Sequence, residues 1–173
     1  METYEVKIPK KRVAVLIGEK GKDKRRIESS TDCKILVNSE GEVVIKGEES
    51  LKAFECLNIV KTIGRGCRPS VALRLIKEDH CCEIIDITDY SGKNKDKMKR
   101  IKGRIIGKEG RIRKIVEKIT GTNVVVYGKT ICIVGEMEEV NIARNAVHDI
   151  LKGAPQGPVF SVVERKIKEL KKL

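Results

Sequence analysis

Residues 100–121 read RIKGRIIGKEGRIRKIVEKITG, and Gly107 and Gly110 divide this stretch into two helix-compatible halves. Before the glycines, Ile101, Ile105 and Ile106 recur at the spacing of one helix face; after them, Ile112, Ile115, Val116 and Ile119 do the same. The four residues Gly107-Lys108-Glu109-Gly110 are therefore expected to form a tight turn between two amphipathic helices. Glycine at both ends lets the backbone turn sharply and leaves no side chain to hold a ligand off. The free amides that open the following helix, together with its dipole, favour an anion there. Arg and Lys crowd both flanks, so the stretch reads as a grip on a phosphate backbone.

One such motif is weak, because a chain with 15 glycines in 173 residues contains the pattern GxxG on the order of once by chance. Its recurrence is what carries weight. Residues 17–31, IGEKGKDKRRIESST, place Ile17, Gly18, Gly21, Lys24, Ile27 and Thr31 each 89 positions before Ile106, Gly107, Gly110, Arg113, Val116 and Thr120. Ile45-Lys46-Gly47-Glu48 answers Ile133-Val134-Gly135-Glu136 at an offset of 88, one residue having been lost in the hairpin between. A repeat at fixed offset means two copies of one structural unit.

Charge is divided unequally between the copies. Residues 1–88 hold 17 Lys and Arg against 15 Asp and Glu, a net of +2, whereas residues 89–173 hold 20 against 10, a net of +10. Between Lys93 and Lys118, twelve cations face only Asp96, Glu109 and Glu117. The second copy is thus the expected binder of a polyanion; the plain alternative is a solvated charged face. The six cysteines lack any CxxC spacing, and neither a signal peptide nor an apolar run of membrane-spanning length is present. Reduced thiols in a cytoplasmic protein are expected, with no membrane contact. The run His80-Cys81-Cys82 is not read as a metal site, because adjacent cysteines fit a tetrahedral centre poorly and no second ligand pair lies close in sequence. No metal and no cofactor is expected.

Enzymatic classes find little support. A Walker loop needs GxxxxGK[ST], and residues 103–109 are one residue short, with Glu109 where a hydroxyl must meet magnesium. Asp86 and Asp89 lie at a spacing that sends them to opposite faces of a strand, so they read as structural. The five aromatics, Tyr4, Phe54, Tyr90, Tyr127 and Phe160, are too few and too scattered for a stacking sheet.

The pattern along each copy is strand, helix, glycine loop, helix, two strands, helix. In the first copy these are expected at residues 4–8, 10–17, 23–30, 33–37, 42–46 and from about 48 to 64, with Leu51, Phe54, Leu57, Val60 and Ile63 on the last helix's buried face. In the second they are expected at 83–88, up to 106, 111–119, 123–127, 130–134 and 136–151. A helix after Pro69 is expected to be a connector that packs between the units, and residues 159–173 a terminal helix that either docks on a unit or awaits a partner. The expected organisation is α+β, with units at 1–66 and 81–153, a helical connector at 67–80 and a tail at 154–173.

This order, with the stretch IIGKEGxxxxxIVEKITG, resembles the type I KH domain in tandem. Residues 83–110, the run VVVYGKTICIVG and the ending ILKGAPQG are moreover similar to archaeal members of the partner-of-Nob family of small-subunit ribosome-assembly factors. The resemblance implies a groove for about four nucleotides of single-stranded RNA, with the glycine loop against the backbone and apolar side chains beneath the bases. It further implies pre-rRNA near the 3′ end of small-subunit rRNA as ligand and ribosome-assembly proteins such as the endonuclease maturing that end as partners; separately, a monomer is expected. On that basis Ile106, Gly107, Lys108, Glu109, Gly110, Arg111, Arg113 and Lys114 form the expected RNA site, extended by Arg100, Lys102 and Arg104 along the preceding helix. Val124 and Val126 either support bases or belong to the core. Gly18, Glu19, Lys20, Gly21, Lys22 and Lys24 form a possible second site, whose ligand is RNA or protein. Where the common KH signature carries an aliphatic residue three positions past the last loop glycine, both copies carry a cation, Lys24 and Arg113. The alternative function is a protein-interaction scaffold with only non-specific affinity for nucleic acid.

Overall fold

Tyr4 and Val6 alternate with charged residues along β1 (Glu2–Lys7), the period of a half-buried strand. In the computed structural model, which describes residues 1–173, Pro9 ends that strand and precedes α1 (Lys10–Ile17). After the first glycine loop come α2 (Lys22–Thr31), β2 (Cys33–Val37), β3 (Glu42–Gly47) and α3 (Ser50–Gly64). The strands form an antiparallel sheet in the order β1-β3-β2, so β2 is an edge. Ile27, Ile35, Ile45, Ile59 and Ile63 are completely buried in its core.

The face that α3 buries differs from the expected one. Ala53 and Cys56 are buried, whereas Leu51 and Phe54 stay 69% and 49% exposed. Close approach explains the exchange: a Cβ built on Gly47 of β3 would lie only 3.2 Å from the Ala53 Cβ, leaving no room for a large side chain. Phe54 instead meets Tyr4 edge-on, with ring centroids 6.4 Å apart. The connector forms a short helix, α4 (Pro69–Ala72), and a 3-10 turn (Leu73–Ile76). Ala72, Leu73, Leu75 and Ile76 pack into the first unit's own core, so this segment completes that unit. Compact unit one spans Met1–His80 and unit two Cys81–Leu173.

Unit two repeats the order with β4 (His80–Asp86), α5 (Thr88–Ser91), α6 (Lys95–Ile106), α7 (Arg111–Thr120), β5 (Asn123–Tyr127), β6 (Thr130–Glu136) and α8 (Met137–Leu151). The sheet order is β4-β6-β5, which leaves β5 at an edge. Strand β4 begins and ends earlier than the apolar run suggests. The Asp86 carboxylate accepts from both the amide (2.9 Å) and the hydroxyl (2.6 Å) of Thr88, turning the chain out of the strand and into α5. Asn94 caps α6 by accepting from the Lys97 amide at 3.0 Å.

Helix α9 (Gln156–Lys171) docks on its own unit: Val159, Val163 and Ile167 are buried in the second core, and its neighbours are α7 and α8. Its inward stripe therefore runs through positions 159, 163 and 167, while Val162 stays 39% exposed. No buried side-chain nitrogen or oxygen lacks a hydrogen-bond partner. No helix is long and apolar enough to cross a membrane.

Candidate nucleic-acid interface

The two glycine loops share one backbone. Gly18, Lys20 and Gly21 have φ of 74°, 54° and 75°; Gly107, Glu109 and Gly110 have 71°, 56° and 75°. Two non-glycine residues, Lys20 and Glu109, thus hold the left-handed conformation that L side chains disfavour. In the second loop the Gly110 amide donates to the Gly107 carbonyl at 3.2 Å, and that of Arg111 donates to the Lys108 carbonyl, closing a single 3-10 turn. The amides of Lys108 and Glu109 make no such bond and sit on the exposed crest. A left-handed residue between successive amides brings them to one concave side, the geometry that receives an anion.

Gly107 is fixed as glycine twice over. Its φ of 71° with ψ of 178° is a conformation essentially closed to other residues, and a Cβ would stand 2.3 Å from Ile112 Cγ1. In the first loop the equivalent neighbour is Asp23, whose Oδ2 lies 2.2 Å from a Cβ built on Gly18. A carboxylate thus stands against the first loop where the second has a buried isoleucine.

Lys108, Arg111 and Lys114 are exposed around the second loop, and with Glu109, Ile115 and Lys118 they line an open hollow of about 510 Å³. Lys114 leans back to donate to the Glu109 carbonyl at 3.4 Å. Ile106 is half-buried against the core. Arg100, Lys102 and Arg104 of α6 do not form one track. Residues two apart lie about 200° around a helix, so Lys102 shares a side with Ile106 while Arg100 shares one with Arg104. Arg104 Nη1 in turn reaches the Leu151 carbonyl at 3.5 Å, at the end of α8. In the first loop Glu19, Lys20 and Lys22 are exposed.

Arg113 is not free to reach a phosphate from where it lies. Its Nη1 donates to Glu117 Oε1 (3.1 Å) and to the Val124 carbonyl (3.1 Å), while the same carboxylate oxygen accepts from the Val124 amide (2.8 Å). Lys24 behaves alike: its Nζ donates to Glu28 Oε1 at 3.1 Å, and that oxygen accepts from the Ile35 amide at 2.8 Å. Both arrangements brace a helix against an edge strand. The signal was in the sequence, since Glu28 and Glu117 also stand 89 apart and four positions after their cations. Val124 is completely buried and gives its side chain to the core, so no base can rest on it; Val126 is half-buried against the same core. Lys118 and Ile115 line the hollow and Glu117 braces Arg113, three residues that sequence reasoning did not place beside the loop. No group of three or more His, Cys, Asp or Glu side chains is placed to hold a metal ion.

Residues 81–168, just over half of the chain, match the family described as eukaryotic type KH-domain (KH-domain type I), and residues 3–61 match the KH domain family. The KH domain-containing protein MJ0443 of Methanocaldococcus jannaschii is 42% identical over 171 residues, covering 96% of this chain and 75% of that protein. The pre-rRNA-processing protein PNO1 of Coccidioides immitis is 33% identical over 115 residues, covering 66% of this chain. The matched region is 42% of that relative's length. The a/eIF2alpha-aDim2p-rRNA complex from Pyrococcus horikoshii contains a chain that matches with a TM-score of 0.87 at 42% identity, over 97% of this chain and 95% of that one. A duplicated glycine-loop unit, matched in both copies and across nearly the whole length, means that this chain belongs to the type I KH-domain family as a tandem, PNO1-like member.

Proposed function

We propose that this protein binds single-stranded RNA during maturation of the small ribosomal subunit, through the glycine loop of its second KH unit. The observation carrying this reading is the open crest at Lys108 and Glu109, where unpaired amides meet the exposed cations Lys108, Arg111 and Lys114. Lys118 and Lys102 extend that contact, and the half-buried Ile106 and Val126 flank the bases. Phosphate held by amides and ammonium groups in this way needs no catalytic group, so the role is binding rather than turnover. The ligand in this reading is pre-rRNA near the 3′ end of small-subunit rRNA, with the endonuclease that matures that end working alongside. Relatives named as pre-rRNA-processing proteins, and a relative crystallised in a complex with rRNA and a/eIF2alpha, support it.

The first unit favours a second reading, a protein contact. Its loop has the same backbone, but the Asp23 carboxylate lies against Gly18 and the surrounding half is nearly neutral. Both work against a phosphate.

The test is a titration of a labelled single-stranded oligonucleotide bearing a small-subunit 3′-end sequence, at about 0.15 M salt. Losing one charge-assisted contact of about 1.5–3 kcal/mol predicts that Lys108→Asp weakens binding tenfold or more, whereas Glu19→Asp leaves it unchanged. Affinity of the wild type should also fall with salt, with a slope of about 0.7 in log–log terms per phosphate neutralised. Equal affinity of wild type and Lys108→Asp would overturn the assignment.

A further inference from the structure

The run His80-Cys81-Cys82 belongs to no group of side chains placed to hold a metal ion, yet its two adjacent thiols have separate places in the fold. Successive residues of a strand point to opposite faces, so β4 sends them apart. Cys81 packs against the second core, on the same side as the buried Ile85. Cys82 turns to the other face of the sheet, where it meets Cys132 of the neighbouring strand β6. The two sulfurs share a hydrogen bond at 2.9 Å, closer than even non-bonded carbon atoms rest, at about 3.5–4.0 Å. A disulfide is about 2.05 Å long, so bond formation takes less than an ångström of movement.

Exposure decides which thiols can react. Cys82 is half-buried and open to a small reagent, and Cys132 is completely buried beside it. The first unit supplies a contrast, because there Cys33 borders Cys56. Those two are 7% and 0% exposed, and burial pushes the Cys56 thiol up to about 12. The thiolate is the reactive form, so that pair has no member open to attack.

We propose that Cys82 and Cys132 are a modification site: in contact with a small disulfide such as oxidised glutathione, they form an intrachain disulfide that pins β4 to β6. The Cys82 thiolate attacks one sulfur of the reagent, giving a mixed disulfide and expelling one glutathione thiolate. Cys132 then attacks the Cys82 sulfur as its thiolate and expels the second glutathione. The two protons given up by the cysteines go to the two glutathione thiolates, so two protein thiols are oxidised as one small disulfide is reduced. The bond joins residues 50 positions apart and ties an outer strand of the sheet to its middle one. A cross-link across so long a loop restricts the unfolded chain strongly.

The experiment incubates the full chain with oxidised glutathione at pH 8, blocks the remaining thiols with iodoacetamide and reads the tryptic peptides by mass spectrometry. The peptide holding Cys81 and Cys82 should appear joined to the one holding Cys132, fragmentation should place the bond at Cys82, and dithiothreitol should release it. Cys132→Ser should stop the reaction at a glutathione adduct on Cys82, whereas Cys81→Ser should still cross-link. In urea, the midpoint of the linked second unit should stand about 1 M above that of the reduced chain, a difference that Cys132→Ser abolishes. The wild-type measurement stands by itself if a variant fails to fold. A folded wild type that forms no Cys82–Cys132 bond, or bonds through Cys81 instead, overturns the assignment. A linked chain with an unchanged midpoint overturns the pinning of β4.

Discussion

Three of the four loop glycines, Gly18, Gly107 and Gly110, should respond very differently to alanine, although all three have positive φ. At Gly107 the φ of 71° and ψ of 178° fall in a region essentially reserved for glycine, a strain of about 1–3 kcal/mol for any other residue. The new Cβ would also stand 2.3 Å from Cγ1 and 3.0 Å from Cβ of Ile112, a buried residue that cannot swing aside. Overpacking of this kind costs about 1–3 kcal/mol, so Gly107→Ala should destabilise the second unit by about 2–6 kcal/mol. Gly18→Ala meets the same backbone strain, but its obstacle is the flexible Asp23 carboxylate, so only the strain of about 1–3 kcal/mol remains. Gly110 has a φ of 75° with ψ of 14°, ordinary left-handed geometry, and nothing closer to a Cβ than 3.6 Å; about 1–2 kcal/mol is expected. Urea unfolding followed by far-ultraviolet circular dichroism, with the slope of each transition held fixed, gives the three differences. Gly107→Ala proving no more damaging than Gly110→Ala would refute the argument from Ile112.

The docking of α9 predicts that Val163→Asp, which buries a charge, destabilises the second unit by several kcal/mol, whereas Val162→Asp one position away stays within about 0.5 kcal/mol; the same unfolding experiment reads both. Arg12 donates from Nε to the Ile63 carbonyl at 2.9 Å and from Nη2 to the Cys67 carbonyl at 2.8 Å. Arg12→Ala should therefore cost the first unit about 1.5–3 kcal/mol, while the exposed Lys11→Ala should be silent in the same melt. Burial pushes the Cys56 thiol up to about 12, because the thiolate is the form that loses solvation. Iodoacetamide at pH 8 should leave Cys56 unmodified in the folded chain and alkylate it in urea, as mass spectrometry of the peptides would show; modification under folding conditions would contradict that placement.

Much of the fold was legible because each signal was local and doubled. The isoleucine spacing around Gly107, the matching spacing around Gly18 and the shared 89-residue offset define helix, loop and helix without any knowledge of packing. What stayed illegible depends on distances between elements. Leu51 and Phe54 fit the helical period of α3, yet the sheet comes too close for them and admits Ala53 and Cys56 instead. The terminal helix showed apolar residues but not which stripe would find a partner. In the site the glycines and flanking cations were readable as chemistry, whereas the partners of Arg113 were not: nothing in its identity says that a strand carbonyl lies 3.1 Å away. Val124 was likewise readable only as apolar and β-forming, which serves a core as well as a groove.

The comparison between the two loops bears on what a glycine loop can do by itself. Their dihedral angles agree within a few degrees, so backbone geometry cannot distinguish their ligands. What differs is the company each keeps: Asp23 against Gly18 in a half of net +2, and Ile112 beneath Gly107 in a half of net +10. An amide concavity supplies partial charges only, and a neighbouring carboxylate can cancel them at short range where screening by salt is weak. Duplication thus gave both units the same cradle, and the side chain five residues after its first glycine and the charge of the helices around it are what separate the two. On the proposed reading, anion binding is a property of the loop together with its flanks, and a difference in ligand between the two copies needs no change of backbone.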